Sequence, residues 1–314
     1  MIEQLINCIK QAEEQGAIAE TRNHVLSGYS GSKLIGVLER LVQSYEQASY
    51  LEVGVYQGLT LLSVALSNEN VKCYGIDNFA YFDPDGSNLE LVMTRAEKLK
   101  LSNFEIINED YEDALSNLSN HVALPIGVYF VDGPHDYRSQ LMCLEIMKPF
   151  LHDRAVIVVD DSNYAHVRQA NRDFLLVNPD FKLLFEAYTD CHPGNMPVDQ
   201  NARARDGWWN GVNIMVRDPD NELDRRFPPT ERDRILYENE HVIHASELAE
   251  LAPEAVGAFS VLLSRRFYLF PIAVARFIGK YTAVMPQIKG RYVSMNTGSA
   301  GLTRFNLTPK KNEP

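Results

Sequence analysis

The feature that most constrains this chain is the alternation of short, almost wholly apolar runs with stretches of helical periodicity. The runs lie at residues 50–53, 71–76, 104–107, 126–131 and 155–159. Helical spacing of apolar residues fills 58–67, 88–99, 110–119, 137–149 and 163–176 between and after them. Strands apolar at nearly every position must be covered on both faces, which is the condition of a parallel sheet sandwiched by helices. Two more runs, 181–189 and 212–216, follow with no helical pattern between them, so they are expected to pair antiparallel. The prediction is an α/β, doubly wound, mostly parallel seven-stranded sheet whose last two strands form an antiparallel pair.

Helical periodicity over 2–15 and 32–47, the latter opening at Ser30-Gly31-Ser32, makes 1–47 a helical N-terminal segment. The ligand-binding domain is then 48–219, and 220–314 is a helical C-terminal extension. The connection 190–210, DCHPGNMPVDQNARARDGWWN, is long for a hairpin, and loops of that length commonly close over ligands. Its Trp208 and Trp209 suit either covering a substrate or packing at the sheet edge.

With 45% hydrophobic and 23% charged residues, the composition is that of a soluble globular protein. The net charge of −12 argues against nucleic-acid binding, since a polyanion is repelled over most of such a surface. That charge is uneven: the first 200 residues carry −15 and the remainder +3, and nine basic residues follow Val256 against Glu313 alone. Cys8, Cys73, Cys143 and Cys191 show no C-x-x-C spacing and read as buried or idle thiols. The first residues carry acids where a secretory signal is basic, and no apolar stretch reaches membrane-spanning length. A cytoplasmic protein without a transmembrane segment is expected.

The chemistry-bearing residues fall at the ends of the apolar runs. The first ends Glu52-Val-Gly54-Val-Tyr-Gln-Gly58. Glycines in a strand-to-helix turn let the backbone approach a ligand, and the helix N-terminus behind them offers N–H groups to a carboxylate. An acid at Glu52 would repel a dinucleotide's pyrophosphate but suits a cationic sulfonium or ammonium. Asp77 ends the second run, placed to accept from ribose hydroxyls. Asp110 follows the third, placed to accept from an adenine amino group. The fourth ends at Asp132-Gly-Pro-His135-Asp136 and the fifth at Asp160-Asp161. In an open parallel sheet these ends border one crevice, so Asp132 and the Asp160–Asp161 pair converge beside the donor. Three such carboxylates repel one another unless protons or a cation join them, and oxygen ligands favour Mg²⁺, Mn²⁺ or Ca²⁺. The competing reading is that these acids merely cap the helices that follow. His166, His192, His241 and His244 show no ligand spacing.

On these residues the segment 50–161 resembles the core of the class I, S-adenosylmethionine-dependent methyltransferases. Over roughly 20–218 it is most similar to the metal-dependent sugar O-methyltransferases of macrolide and aminocoumarin biosynthesis, the macrocin, mycinamicin and novobiocin enzymes. The resemblance implies S-adenosylmethionine held by Glu52, Gly54, Gly58, Asp77, Asp110 and Asp132. It also implies Mg²⁺ on Asp132, Asp160 and Asp161, binding neighbouring hydroxyls of a small-molecule acceptor. The base that removes the hydroxyl proton is His135 or Asp136, which closely follow Asp132 in a segment where related enzymes carry an acid or a histidine. Pro134 replaces a residue that is often acidic there, so the resemblance leaves the two open. N-methylation without a metal, or donor binding without catalysis, are the other functions this pattern admits.

The extension is left outside the resemblance. Segment 253–291 carries too many apolar residues for one face of a solvated helix, so it must bury them. A homo-oligomer interface is the leading expectation. Packing on the chain's own domain and lying on lipid, which Arg265, Arg266, Arg276 and Lys280 favour, are the alternatives. Pro271 is expected to kink or break this segment.

Overall fold

A computed structural model describes residues 1–18, 25–189, 192–230 and 251–290, with side chains to 283. The chain divides into two compact units, Met1–Leu236 and Tyr237–Pro314. His241, His244 and Cys191 lie outside the described residues.

The first unit is built on the predicted sheet. Its strands are β1 (Ser49–Val53), β2 (Cys73–Ile76), β3 (Phe104–Ile107), β4 (Ile126–Val131), β5 (Leu151–Val159), β6 (Phe181–Ala187) and β7 (Val212–Arg217), in the order β3-β2-β1-β4-β5-β7-β6. β1 pairs parallel with β2 and β4, β2 with β3, and β4 with β5; β7 runs antiparallel to both β5 and β6. Residues of β1, β2 and β4 are buried throughout, which is why they read as continuous apolar runs.

Helices α1 (Ile2–Gln15), α2 (Ser32–Val42), α3 (Leu59–Ser67) and α4 (Asn88–Leu99) contribute to the core on one face. α5 (Tyr111–Ser116), α6 (Tyr137–Met147) and α7 (Ala165–Val177) contribute to the core on the other. The alternation of side chains along each strand feeds both: Tyr50, Val128, Phe130, Val156 and Val158 join the first, Leu51, Val53, Tyr129, Ile157 and Val159 the second. The N-terminal helices are thus part of the sheet's own core. Arg40 fastens them together, donating to the carbonyls of Gly16 (2.7 Å) and Gly36 (2.9 Å) and to Gln15.

The long connection before β7 is not all loop, since it holds α8 (Val198–Asp206). Its sequence carries the signals of a short helix: Pro197 before it, Asp199 in the first turn, Arg203 and Arg205 in the last, and Gly207 after it.

In the second unit, α9 (Ala252–Leu263) and α10 (Phe270–Gly290) form a helical hairpin. The break falls just before Pro271, at Arg265, whose φ is 54°. Pro271 then occupies the first turn of α10, where its missing N–H and fixed φ do no harm. Among the described residues no helix is long and apolar enough to cross a membrane.

Candidate active site

The glycine turn is shaped by its neighbours. Gly54 has φ 95°, and a Cβ there would sit 2.0 Å from the carbonyl oxygen of Asp132. Its glycine is therefore required by the close approach of the β1 and β4 ends. Asp77 holds the turn: one carboxylate oxygen accepts the N–H groups of Val55 (2.9 Å) and Tyr56 (2.8 Å), the other that of Phe79 (2.7 Å). Gly58, at φ 78°, ends the turn and begins α3 with no side-chain cap. The first-turn N–H groups of α3 are thus left without a side-chain acceptor, the arrangement that suits an anion such as a ligand carboxylate.

Glu52 is fully buried, with Tyr50 Oη donating to Oε2 (2.6 Å) and Thr60 Oγ1 to Oε1 (3.1 Å). Burial outweighs these bonds and pushes its pKa up to about 8, so the group is largely neutral near pH 7. A cation placed beside it would draw it back toward ionisation. Asp110 is exposed and caps α5, accepting from the N–H of Glu112 at 2.9 Å.

At the ends of β4 and β5 the acids gather. Asp132, His135 and Asp161 each place a ligand atom within 4.8 Å of the others. His135 Nε2 lies 2.5 Å from Asp161 Oδ2 and 4.0 Å from Asp132 Oδ1, within ion-pair reach of both. Burial would lower the His135 pKa, but the two carboxylates prevail and raise it to about 10. Asp132 is pushed up to about 6, by burial first and by Asp161 in addition, with His135 opposing.

Asp160 is buried and held well above the usual carboxylate range by desolvation, then by the charges of Asp132 and Asp161. Its Oδ1 accepts the N–H of Asp161 at 2.7 Å, whereas Oδ2 is buried with no partner. Asp161 sits at φ 55° and accepts from Asn210 Nδ2 at 2.5 Å. The cap reading does not describe Asp161, since α7 begins at Tyr164 without a side-chain cap.

It does describe Asp136, which caps α6 by accepting from the N–H of Ser139 at 3.0 Å. Burial raises its pKa, but hydrogen bonds from Ser139 and the Arg138 backbone bring it below the ordinary value. Of the two base candidates, then, His135 faces the carboxylate cluster and Asp136 is occupied at a helix start.

Trp208 and Trp209 are buried. Trp208 packs on Phe185 at 5.0 Å, and Trp209 meets Tyr29 at 6.1 Å, which stacks on Tyr56 of the glycine turn at 5.6 Å. Asn210 and Tyr164 were not singled out by sequence reasoning. The Tyr164 ring lies 5.3 Å from that of His135 and 6.0 Å from that of His192, making an aromatic flank to the cluster. No spacing signal connects Asn210 to Asp161, because 49 residues separate them.

Residues 51–162 match the family model described as "Methyltransferase domain". This segment is thus similar to a methyltransferase domain, and the fold that holds it is that of the class I methyltransferases. The strand order, with reversed β7 between β5 and β6, is that of the same fold. Solved structures of low similarity include the O-methyltransferase TomG from Streptomyces achromogenes, involved in tomaymycin synthesis and bound to SAM. It is 14% identical over 68% of this chain and 90% of that one, with a TM-score of 0.45. An O-methyltransferase from Bacillus cereus in complex with SAH is 14% identical over 69% and 90%, with a TM-score of 0.44. An rRNA methylase from Streptococcus thermophilus is 15% identical over 60% and 95%, with a TM-score of 0.38. No curated protein matches the chain at a significant level.

Proposed function

We propose that this methyltransferase domain transfers the methyl group of S-adenosylmethionine to a hydroxyl of a small molecule, assisted by a divalent cation. The observation that carries the reading is the group of Asp132, His135 and Asp161 at the β4 and β5 ends, together with the buried, unpartnered Oδ2 of Asp160 next in sequence to Asp161. A buried acid oxygen without a donor is costly, and a cation shared with Asp132 and Asp161 supplies what it lacks. These three aspartates are the proposed ligands of Mg²⁺. Gly54, Gly58, Asp77 and the start of α3 form the proposed donor cradle, with Glu52 beneath it and Asp110 at its rim.

A bound divalent cation lowers the pKa of an acceptor hydroxyl. His135 is the proposed base: with the charges of Asp132 and Asp161 taken up by a cation, its pKa would fall from about 10 and Nε2 would be free to receive the hydroxyl proton. S-adenosylmethionine, when held in this cradle, would supply the methyl group to that hydroxyl oxygen and leave as S-adenosylhomocysteine. Tyr164 packs against the imidazole and limits its rotation. A sugar-bearing acceptor is the substrate class the sequence resemblance suggests.

Two measurements test this. Calorimetric titration with Mg²⁺ or Mn²⁺ should show binding to the native chain that is lost in Asp161→Asn. Turnover against a panel of glycosides should vanish in EDTA and return with the cation. Methyl transfer to an amine that ignores EDTA would replace the proposal with N-methylation. Donor binding without turnover on hydroxyl or amine acceptors would leave a binding protein.

A further inference from the structure

The helical hairpin of the second unit has a composition the methyltransferase reading does not use. α9 carries one charged residue, Glu254 in its first turn. Ala255, Ala258, Phe259 and Leu262 line an apolar groove with Phe270, Val274 and Phe277 of α10. The apolar surface continues past the groove onto the adjoining face: Val256, Phe259 and Leu263, spaced three and four apart, are 65%, 66% and 84% exposed. An apolar stripe wider than the groove it lines needs a covering on its exposed part, while Gly257, Ser260 and Ser264 stand on the side away from it. The bend between the helices continues the pattern, with Phe267 and Tyr268 at 62% and 76% exposure directly after Arg265 and Arg266.

Charge selects among the surfaces that could cover it. Between 251 and 290, Arg265, Arg266, Arg276, Lys280 and Lys289 stand against Glu254 alone, a net of +4 in a chain of −12, which leaves −16 on the rest. A second copy joined symmetrically, hairpin to hairpin, would bring two +4 surfaces together. An anionic bilayer attracts the same groups and accepts the apolar side chains between them. Arginine beside aromatic residues at a bend is also suited to the headgroup boundary, where stems and rings are buried and charges stay wet.

We infer that the hairpin is a monotopic docking element for anionic lipid surfaces, with the bend 264–268 and the outer face of α9 entering the interface. Since among the described residues no helix is long and apolar enough to span a bilayer, the attachment inferred is peripheral and salt-sensitive.

The test is flotation of the full chain with vesicles of phosphatidylcholine alone or mixed with phosphatidylserine. Binding is expected only to the mixed vesicles and should weaken as salt is raised. Each basic side chain near the surface contributes roughly fivefold, so Arg265→Glu with Arg266→Glu should reduce partitioning by at least about 25-fold. Leu263→Ser with Phe267→Ser should also reduce it, without altering charge. Donor binding, read by thermal shift with S-adenosylhomocysteine, should be unchanged in both variants and so certifies their folding. Equal binding to neutral vesicles would overturn the inference. So would no flotation from a chain that sediments as a dimer, because a second copy would then be the cover.

Discussion

At the scale of single residues, the site is governed by burial acting on acids. Glu52 shows this most simply, because its neighbours are fixed and its pKa moves from 4.5 to about 8. Over that interval the folded chain holds a proton that the unfolded chain has released. The contribution of Glu52 to stability therefore falls as pH rises from about 4.5 to 8. In Glu52→Gln this component should vanish, and the urea midpoint should decline less over the same range than in the native chain. An equal decline in both would show that Glu52 ionises normally. His135 belongs to the same scale. If it is the base, His135→Asn should lower turnover about 10²- to 10⁴-fold while donor binding by calorimetry stays unchanged. Asp136→Asn should instead cost stability, about 1 kcal/mol, because it removes a helix cap. The sequence named both residues but could not separate them, since adjacent positions at a strand end have the same spacing to everything. Only the direction of each side chain, toward Asp161 or toward Ser139, tells them apart.

At the scale of elements, the sequence was read best where burial is two-sided and worst where a segment is mostly solvated. β3 and β4 coincide with their apolar runs, and α1 and α4 with their periodicity, because a buried face dictates residue type at each position. α8 was missed because it buries Ala204 alone and so has no apolar stripe to read, although its end signals were present. The glycine turn was recognised, but for a reason the structure extends. Gly54 was expected to admit a ligand; it also admits the Asp132 carbonyl. Gly54→Ala is thus predicted to destabilise strongly, on the order of 4 kcal/mol or more, since backbone of two central strands would have to part. Gly86 provides the control. It also has a positive φ, of 66°, but nothing lies within 4 Å of a Cβ there. Gly86→Ala should cost only about 1–2 kcal/mol of backbone strain. Similar urea midpoints for the two variants would mean that the β1–β4 approach does not constrain position 54.

At the scale of the whole molecule, the question is whether the catalytic body depends on the second unit. Among the described residues, both core clusters and the apolar residues packed against them are drawn from positions 2 to 227. Every donor, metal and base residue proposed above also lies between Glu52 and Asp161. These observations predict that a chain ending at Leu236 folds and binds the donor product as the full chain does. Ligand that binds only the folded state stabilises by RT ln(1 + [L]/Kd), about 2.7 kcal/mol at a hundredfold excess over Kd. For a domain of this size that is a rise of roughly 5–11 °C in Tm. S-adenosylhomocysteine should give the same rise in both chain lengths, while flotation with anionic vesicles is retained only by the full chain. A truncated chain that precipitates, or that melts without responding to the ligand, would show that the hairpin completes the fold. The lipid assignment would then have to give way to packing on the chain's own body, because the same apolar face cannot serve both.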